Sequence, residues 1–473
     1  MNVLFTSFEA SPFAKTGGLG DVAGSLPAEL CKLGADVRLF MPKYRVIPAR
    51  LTEKAEFMFS SSINIGGIEK PTSLYRLVHN GVVVYLLDNE ENFGGSGIYG
   101  YGENAADQSV FFCRALCEFI PRLGFTPDVI HCNDWQTALI PVFLRFHYPQ
   151  YSIKTVLTIH NLQYQGIYSI GKIKYLTGLP DEVFTISGME FYGGANLLKG
   201  GIVYSDIVNT VSPTYAGETL TSAYGEKLEG VLAHKGESYR GILNGLDYSV
   251  FHPRTDSIIA ANYSYMRLEG KQKCREALLE RFGLKADGIP VASVISRLVD
   301  QKGLDLLADC IENIVAEGKC ALVVLGSGDP RYENFFSGLA AKYPERAAAW
   351  IGYNGELAQH IYAGSDLFLM PSRFEPCGLS QLIAMKYGAV PLVRETGGLF
   401  DTVTPYNCYT DSGTGFSFAP YSSEALDYTI RLAAGYYTDR QDIWKRLTVR
   451  CMKKDYSWKA SAAKYLEVYN NLA

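Results

Sequence analysis

The sequence predicts an α/β chain of two domains, each built on a parallel sheet with helices on both faces. Three observations carry this. Short, β-rich apolar runs alternate with helical stretches from end to end, which is the pattern of strand–helix–strand units. The chain has 473 residues, too many for one ordinary domain and suited to two of about 200 each. Finally, Thr16-Gly17-Gly18-Leu19 recurs as Thr396-Gly397-Gly398-Leu399, each followed two residues later by an aspartate, Asp21 or Asp401.

In the first half the expected strands are Asn2–Thr6, Val37–Phe40, Val82–Leu87, Val129–His131, Thr155–Ile159 and Ile207–Thr210. In the second they are Val291–Ile295, Leu322–Leu325, Ala349–Ile351, Leu367–Met370 and Val390–Val393. Helical periodicity lies between them at Asp21–Leu33, Leu304–Ile314 and Glu356–Ala363. The first of these puts Val22, Leu26, Leu30 and Leu33 on one face, with Pro27 as an expected kink. The domain seam is expected near Gly245, in Asn244-Gly245-Leu246-Asp247, after which an irregular polar stretch runs to Val291. The expected domains are therefore 1–244, joined by a closing helix 457–473, and 245–456.

Composition narrows the function. A net charge of −5 with no Lys/Arg cluster offers no basic face for nucleic acid or an anionic membrane. The opening MNVLFTSFEA lacks a basic start and meets an acid at Glu9, so it is expected to be a first strand rather than a leader. No run approaches 18 apolar residues, and no transmembrane helix is expected. The ten cysteines are scattered without metal spacing, as expected of buried, reduced thiols in a cytoplasmic protein. No metal site and no cofactor is expected.

Chemistry-bearing residues fall at strand ends, where α/β sheets bind ligands. Lys15 to Asp21 (KTGGLGD) is a Gly-rich loop opening a helix. It suits an anion, with Lys15 as a mobile cation, or is an ordinary turn. Arg297 and Lys302, in SRLVDQKG after Val291–Ile295, suit a diphosphate, or else belong to a solvated loop. Gly326-Ser327-Gly328 resembles half of a dinucleotide fingerprint, but position 331 is Arg331 where the third glycine would stand. His131-Cys132-Asn133-Asp134-Trp135 and His160-Asn161 put hydrogen-bonding groups on successive strand ends, as a polyol pocket would. Glu375, in SRFEPCGLSQL, is a lone carboxylate that binds sugar hydroxyls or caps a surface.

Taken together, KTGGLGDV, HCNDWQT, TIHNLQYQG, NGLD, SRLVDQKG, IGYNGE, PSRFEPCGLSQL, the second TGGL and the late YSW closely resemble the bacterial and plastid glycogen (starch) synthases, in family order. The resemblance implies the GT-B arrangement, with two Rossmann-like domains facing a central cleft and the C-terminal helix crossing back onto the first domain. It implies a retaining, metal-independent glucosyltransferase acting on ADP-glucose and an α-1,4-glucan.

Carried over position by position, it makes Lys15, Arg297 and Lys302 the diphosphate cations, assisted by the backbone around Gly17, Gly18, Thr396, Gly397 and Gly398. Tyr353 matches an adenine-stacking position. Glu375 would bind donor sugar hydroxyls, with Cys377, Gly378 and Leu379 beside it. His160 would present its backbone carbonyl near the reacting carbon. Asp134, with Asp21 and Asn161, would lie on the acceptor side. One departure from the wider superfamily is Ile383, where many retaining GT-B enzymes carry a second glutamate.

Overall fold

The computed structural model describes residues 1–472, so the last residue of the expected closing helix, Ala473, lies outside them. The chain divides into two compact units. The first comprises Met1–Gly245 with the chain from Trp458 onward, and the second comprises Leu246–Ser457. The chain passes from one to the other at two adjacent points. In the first unit Gly245 lies so close to Trp458 that a Cβ would sit 2.5 Å from its Cα. In the second, Leu246 donates its N–H to Tyr456 O at 2.6 Å.

The first unit holds nine strands in one sheet: β1 (Asn2–Thr6), β2 (Asp36–Pro42), β3 (Glu56–Ile65), β4 (Ile68–His79), β5 (Val82–Asp88), β6 (Val129–Asn133), β7 (Lys154–Ile159), β11 (Ile207–Thr210) and β12 (Tyr239–Gly241). A separate antiparallel trio is formed by β8 (Ile167–Ser169), β9 (Glu190–Phe191) and β10 (Gly194–Asn196). The large sheet runs β12-β11-β7-β6-β1-β2-β5-β4-β3. β1 is central because Val3, Leu4 and Phe5 are buried on both faces, as a strand covered by helices requires.

The expectation of purely parallel sheets needs correction here. β4 pairs antiparallel with both β3 and β5. This long hairpin is mostly exposed or half-buried, with only Ile63, Ile65, Thr72, Leu74 and Leu77 buried, so neither a continuous apolar run nor a clean alternation marks it in the sequence. The first helix also differs from expectation. It runs Gly18–Lys32 and continues through the buried Pro27, while Leu33 is its exposed C-cap rather than part of the apolar face.

The second unit carries β13 (Val291–Ile295), β14 (Ala321–Gly326), β15 (Ala347–Ile351), β16 (Leu367–Met370), β17 (Val390–Arg394) and β18 (Phe416–Phe418), all parallel, in the order β15-β14-β13-β16-β17-β18. The stretch before β13, expected to be irregular, contains the helix Glu269–Phe282. It is mostly polar, and its apolar stripe is too narrow to announce itself. All ten cysteines are unbridged; Cys408 is exposed and Cys31 partly so, against the expectation of uniform burial.

Each sheet has a switch point, where chain order reverses between neighbouring strands: β1/β6 in the first unit and β13/β16 in the second. Ligands of doubly wound sheets bind at the carboxyl ends there. Loops carrying chemistry leave both strands at each of these points.

Candidate active site

At the first switch point, β1 leads into a loop built around Glu9. This side chain is only 3% exposed. Its Oε2 accepts the N–H groups of Thr16 (2.6 Å) and Gly17 (3.0 Å), and its Oε1 accepts the Thr16 hydroxyl (2.6 Å) and the hydroxyl of Tyr99. The Lys15–Gly18 segment is thereby held at the surface, ahead of the helix Gly18–Lys32. Gly20 leaves room for the stem of Lys15, whose Cγ lies 2.8 Å from where a Cβ would stand. Lys15 Nζ pairs with Asp21 Oδ1 at 2.6 Å, both partly exposed.

From β6 and β7 come the groups of the second cluster. Asp134 has φ +57° and ψ −178°, a backbone state in which non-glycine residues are strained. Its carboxylate accepts the N–H of His160 at 2.7 Å. Burial pushes the Asp134 pKa up to about 7, the charge of Glu9 adds to the rise, and the backbone N–H groups of His160 and Asn161 oppose it. Asn133 Nδ2 donates to Thr6 O (3.0 Å), so Asn133 Oδ1 is the acceptor for His160 Nε2–H (2.8 Å). The imidazole is then the Nε2–H tautomer, and burial keeps it neutral, with its pKa lowered to about 3. Backbone and ring of His160 are thus both fixed. Asn161 Oδ1 accepts from Gln163 N–H at 3.0 Å, stiffening the turn that follows.

His131 does not belong to this cluster. It is fully buried and bonded to Tyr469 and Thr158, each at 2.6 Å. Thr158 continues to Asn209 and Asn209 to Tyr465, so the polar chain fastens the C-terminal helix Trp458–Asn470 to the sheet. The sequence placed His131 among ligand-facing groups because a strand-end histidine reads the same whether it faces a pocket or a packed helix.

In the second unit, Lys302 ends a short turn after β13, and Gly303 makes that turn possible. Its φ is +66°, and a Cβ there would lie 1.9 Å from Pro371 O. Lys302 Nζ reaches Glu375 Oε2 at 2.6 Å, with the two side chains 17% and 7% exposed. Ser372 Oγ donates to the same oxygen at 3.0 Å. Glu375 is therefore a buried, paired carboxylate and not a surface cap. Arg297 is exposed beside Gln301, toward which it donates at 3.3 Å.

Thr396, Gly397 and Gly398 leave β17 against this pair. Gly398 N–H donates to Glu375 O at 3.0 Å, and a Cβ on Gly398 would stand 2.0 Å from Cys377 O. Gly378 has φ +72°, which turns the chain toward Leu379. Tyr353 stands apart on the loop after β15 and is 88% exposed. Gly326 and Gly328 pack against Ser296 O and Leu298 O. They serve close contact between loops.

Three supporting residues were not picked out in the sequence. Glu9 is one. Gln381, fully buried, donates to Cys377 O and Gly378 O. Arg394 donates to Ser372 O at 2.8 Å and so holds the residue that holds Glu375. An acid or arginine at the end of an apolar strand was the only sequence signal available for Glu9 and Arg394. Among the described residues no cluster of His, Cys, Asp and Glu could hold a metal, and no helix is long and apolar enough to cross a membrane.

Residues 2–234 match the family described as starch synthase catalytic domain, and residues 279–443 the one described as glycosyl transferases group 1. A glycogen synthase of Lachnospira eligens is 46% identical over 477 residues, covering 100% of both chains. That of Thermotoga maritima is 46% identical, covering 99% of this chain and 98% of its own. Among solved structures, the catalytic domain of starch synthase IV from Arabidopsis thaliana, bound to ADP and acarbose, matches with a TM-score of 0.92 at 32% identity, covering 100% of this chain and 99% of that one. Sucrose-phosphate synthase from Thermosynechococcus elongatus, at 19% identity and a TM-score of 0.63, shares the fold. With two doubly wound units and relatives of this identity along its whole length, the chain belongs to the glycogen synthase family of GT-B glycosyltransferases.

Proposed function

We propose that this chain transfers glucose from ADP-glucose to the non-reducing end of an α-1,4-glucan, with retention at the anomeric carbon and without a metal. The observation that carries the reading is the Lys302–Glu375 pair at the β13/β16 switch point. It sets a cation for a diphosphate next to a carboxylate for sugar hydroxyls, at the strand ends where such a donor binds. Arg297 adds a second, exposed cation, and Tyr353 offers a free ring face for a base. On the first unit, Lys15 is a mobile cation, while Asp134, Asn161 and Asp21 suit the hydroxyls of the acceptor.

In this reading, the bond between the anomeric carbon and the β-phosphate oxygen breaks with its electron pair on phosphate. Lys302 and Arg297 stabilise that charge, each by about 3–4 kcal/mol in the transition state. The glucan 4-hydroxyl attacks from the same face, and its proton passes to the departing phosphate oxygen. The fixed backbone at His160 suits stabilisation of the positive charge at the reacting carbon. Ten unbridged cysteines accord with a reducing, cytoplasmic setting.

The deciding assay follows ADP release from ADP-glucose with and without glycogen, together with the anomeric linkage of the product. Glycogen-dependent ADP release and new α-1,4 linkages are expected. ADP release that needs only a small sugar, or that is absent with every acceptor, would overturn the reading.

A further inference from the structure

We infer that Glu9 is a positioning residue for the donor loop, and that it acts through its reach rather than its charge. This rests on the reading that Lys15–Leu19 meets the donor diphosphate. An ionised carboxylate has about four lone-pair sites on its two oxygens. In Glu9 all four are occupied: Oε2 by the N–H groups of Thr16 and Gly17, Oε1 by the hydroxyls of Thr16 and Tyr99. A side chain so filled and so buried has no lone pair left for a substrate proton.

Its occupancy decides which donors the loop can offer. The N–H groups of Thr16 and Gly17 point inward to Glu9 and are withdrawn from any ligand. The loop then has the first-turn N–H groups of Gly18 and Leu19 and the ammonium of Lys15. The first-turn groups of a helix have no intrahelical partner, and this helix runs 15 residues. This narrows the expectation that the backbone around Gly17 binds phosphate: Gly17 contributes space, and Gly18 and Leu19 the hydrogen bonds. Tyr99 brings the glycine-rich segment 94–102 to the same carboxylate. That segment is fixed in turn by Gly100 N–H donating to Gln108 Oε1 at 2.7 Å.

Behind an anion-binding loop the charge of a carboxylate opposes the ligand, and the hydrogen-bond geometry asks for the length and acceptor positions of this side chain rather than for that charge. The oxygen facing two backbone N–H groups must accept, since an amide nitrogen there would meet two donors. The other oxygen faces two hydroxyls, and hydroxyls can turn to accept from an amide. Glutamine therefore fits in one orientation, with its oxygen on the backbone side. Aspartate keeps the charge but falls short by one methylene.

The test compares Glu9→Gln with Glu9→Asp in steady-state transfer from ADP-glucose to glycogen, with thermal unfolding as the check on folding. Glu9→Gln is expected to keep kcat/KM for ADP-glucose within threefold of the unsubstituted protein. Glu9→Asp is expected to lower it tenfold or more while leaving KM for glycogen unchanged. Glu9→Asp matching or exceeding Glu9→Gln would overturn the proposal in favour of a role for the charge. A loss that falls on KM for glycogen would overturn it in favour of the acceptor side. Should Glu9→Asp not fold, Glu9→Gln decides alone: folded and at least tenfold impaired, it overturns the proposal; near full activity, it supports it. Absence of transfer in the unsubstituted protein would instead sink the donor reading, so the two failures are separable.

Discussion

Thr16-Gly17-Gly18-Leu19 follows β1 and opens a 15-residue helix with Lys15 through Gly18 exposed. Thr396-Gly397-Gly398-Leu399 follows β17 and opens a 6-residue helix with all four residues buried. A glutamate anchors each loop, in opposite ways. Glu9 grips the first with its side chain. Glu375 holds the second with its backbone carbonyl and keeps its carboxylate for Lys302 and Ser372. The ion pairs differ too. Lys15–Asp21, 35% and 27% exposed, is of the surface kind that contributes about 1 kcal/mol or less. Lys302–Glu375 is mostly buried, and breaking it leaves an uncompensated charge. Four shared letters thus encode an exposed loop in one unit and a walled one in the other, and the distinction lies in residues outside the repeat.

The largest expected effect is on catalysis at the walled site. Lys302→Ala is expected to lower kcat by about 10²-fold or more; near-normal kcat in a folded variant would remove Lys302 from the chemistry. Next comes a contrast between glycines. Gly398→Ala must displace Cys377 O and is expected to cost about 2–3 kcal/mol in unfolding experiments. Gly17→Ala meets nothing within 4 Å at an extended φ of −151°, so its stability should change by less than about 1 kcal/mol. If this loop meets the donor as proposed, the effect of the substitution should fall on KM for ADP-glucose. Equal destabilisation by the two would erase the comparison.

A smaller effect tests the burial of Asp134 in the first unit. Asp134 has its pKa raised to about 7, chiefly by burial. The stability it contributes is therefore fully present below the ordinary carboxylate value of about 3.9. It is lost as pH rises through about 7, where the folded state must ionise. The melting temperature of the unsubstituted protein, measured against Asp134→Asn, should fall progressively from pH 4 to 8. A constant difference would mean that Asp134 titrates normally. The smallest effect is expected from EDTA, which should leave turnover unchanged because Lys15 in the first unit and Arg297 and Lys302 in the second are the cations proposed for the diphosphate. Loss of activity restored by Mg²⁺ would demote the loops to secondary roles.

Legibility followed burial pattern. Asn2–Thr6, Ile207–Thr210, Val291–Ile295 and Leu367–Met370 were readable to the residue because each is a short stretch made mostly of apolar and β-branched residues. The β3–β4 hairpin was not, since an edge hairpin half exposed to water mixes polar and apolar residues without a clean period. The motif residues Lys15, Arg297, Lys302 and Glu375 were legible by type and strand-end position. The partner each one has was not: Lys302 and Glu375 are 73 residues apart and meet only because β13 and β16 are neighbours.

By itself, the sequence determined the class of the chain: alternating strands and helices, a length for two domains with a seam expected near Gly245, a Gly-rich loop in each half, and family motifs in order. These follow from local propensity and hydrophobic period, which each segment carries alone. Tertiary structure decided what those residues do. It turned His131 from a ligand candidate into a fastening for the C-terminal helix, made Glu9 the frame of a loop, and buried Glu375 beside Lys302. A side chain's role depends on which groups fill its hydrogen-bonding sites and how much water reaches it. Both are set by strands brought side by side from distant parts of the chain.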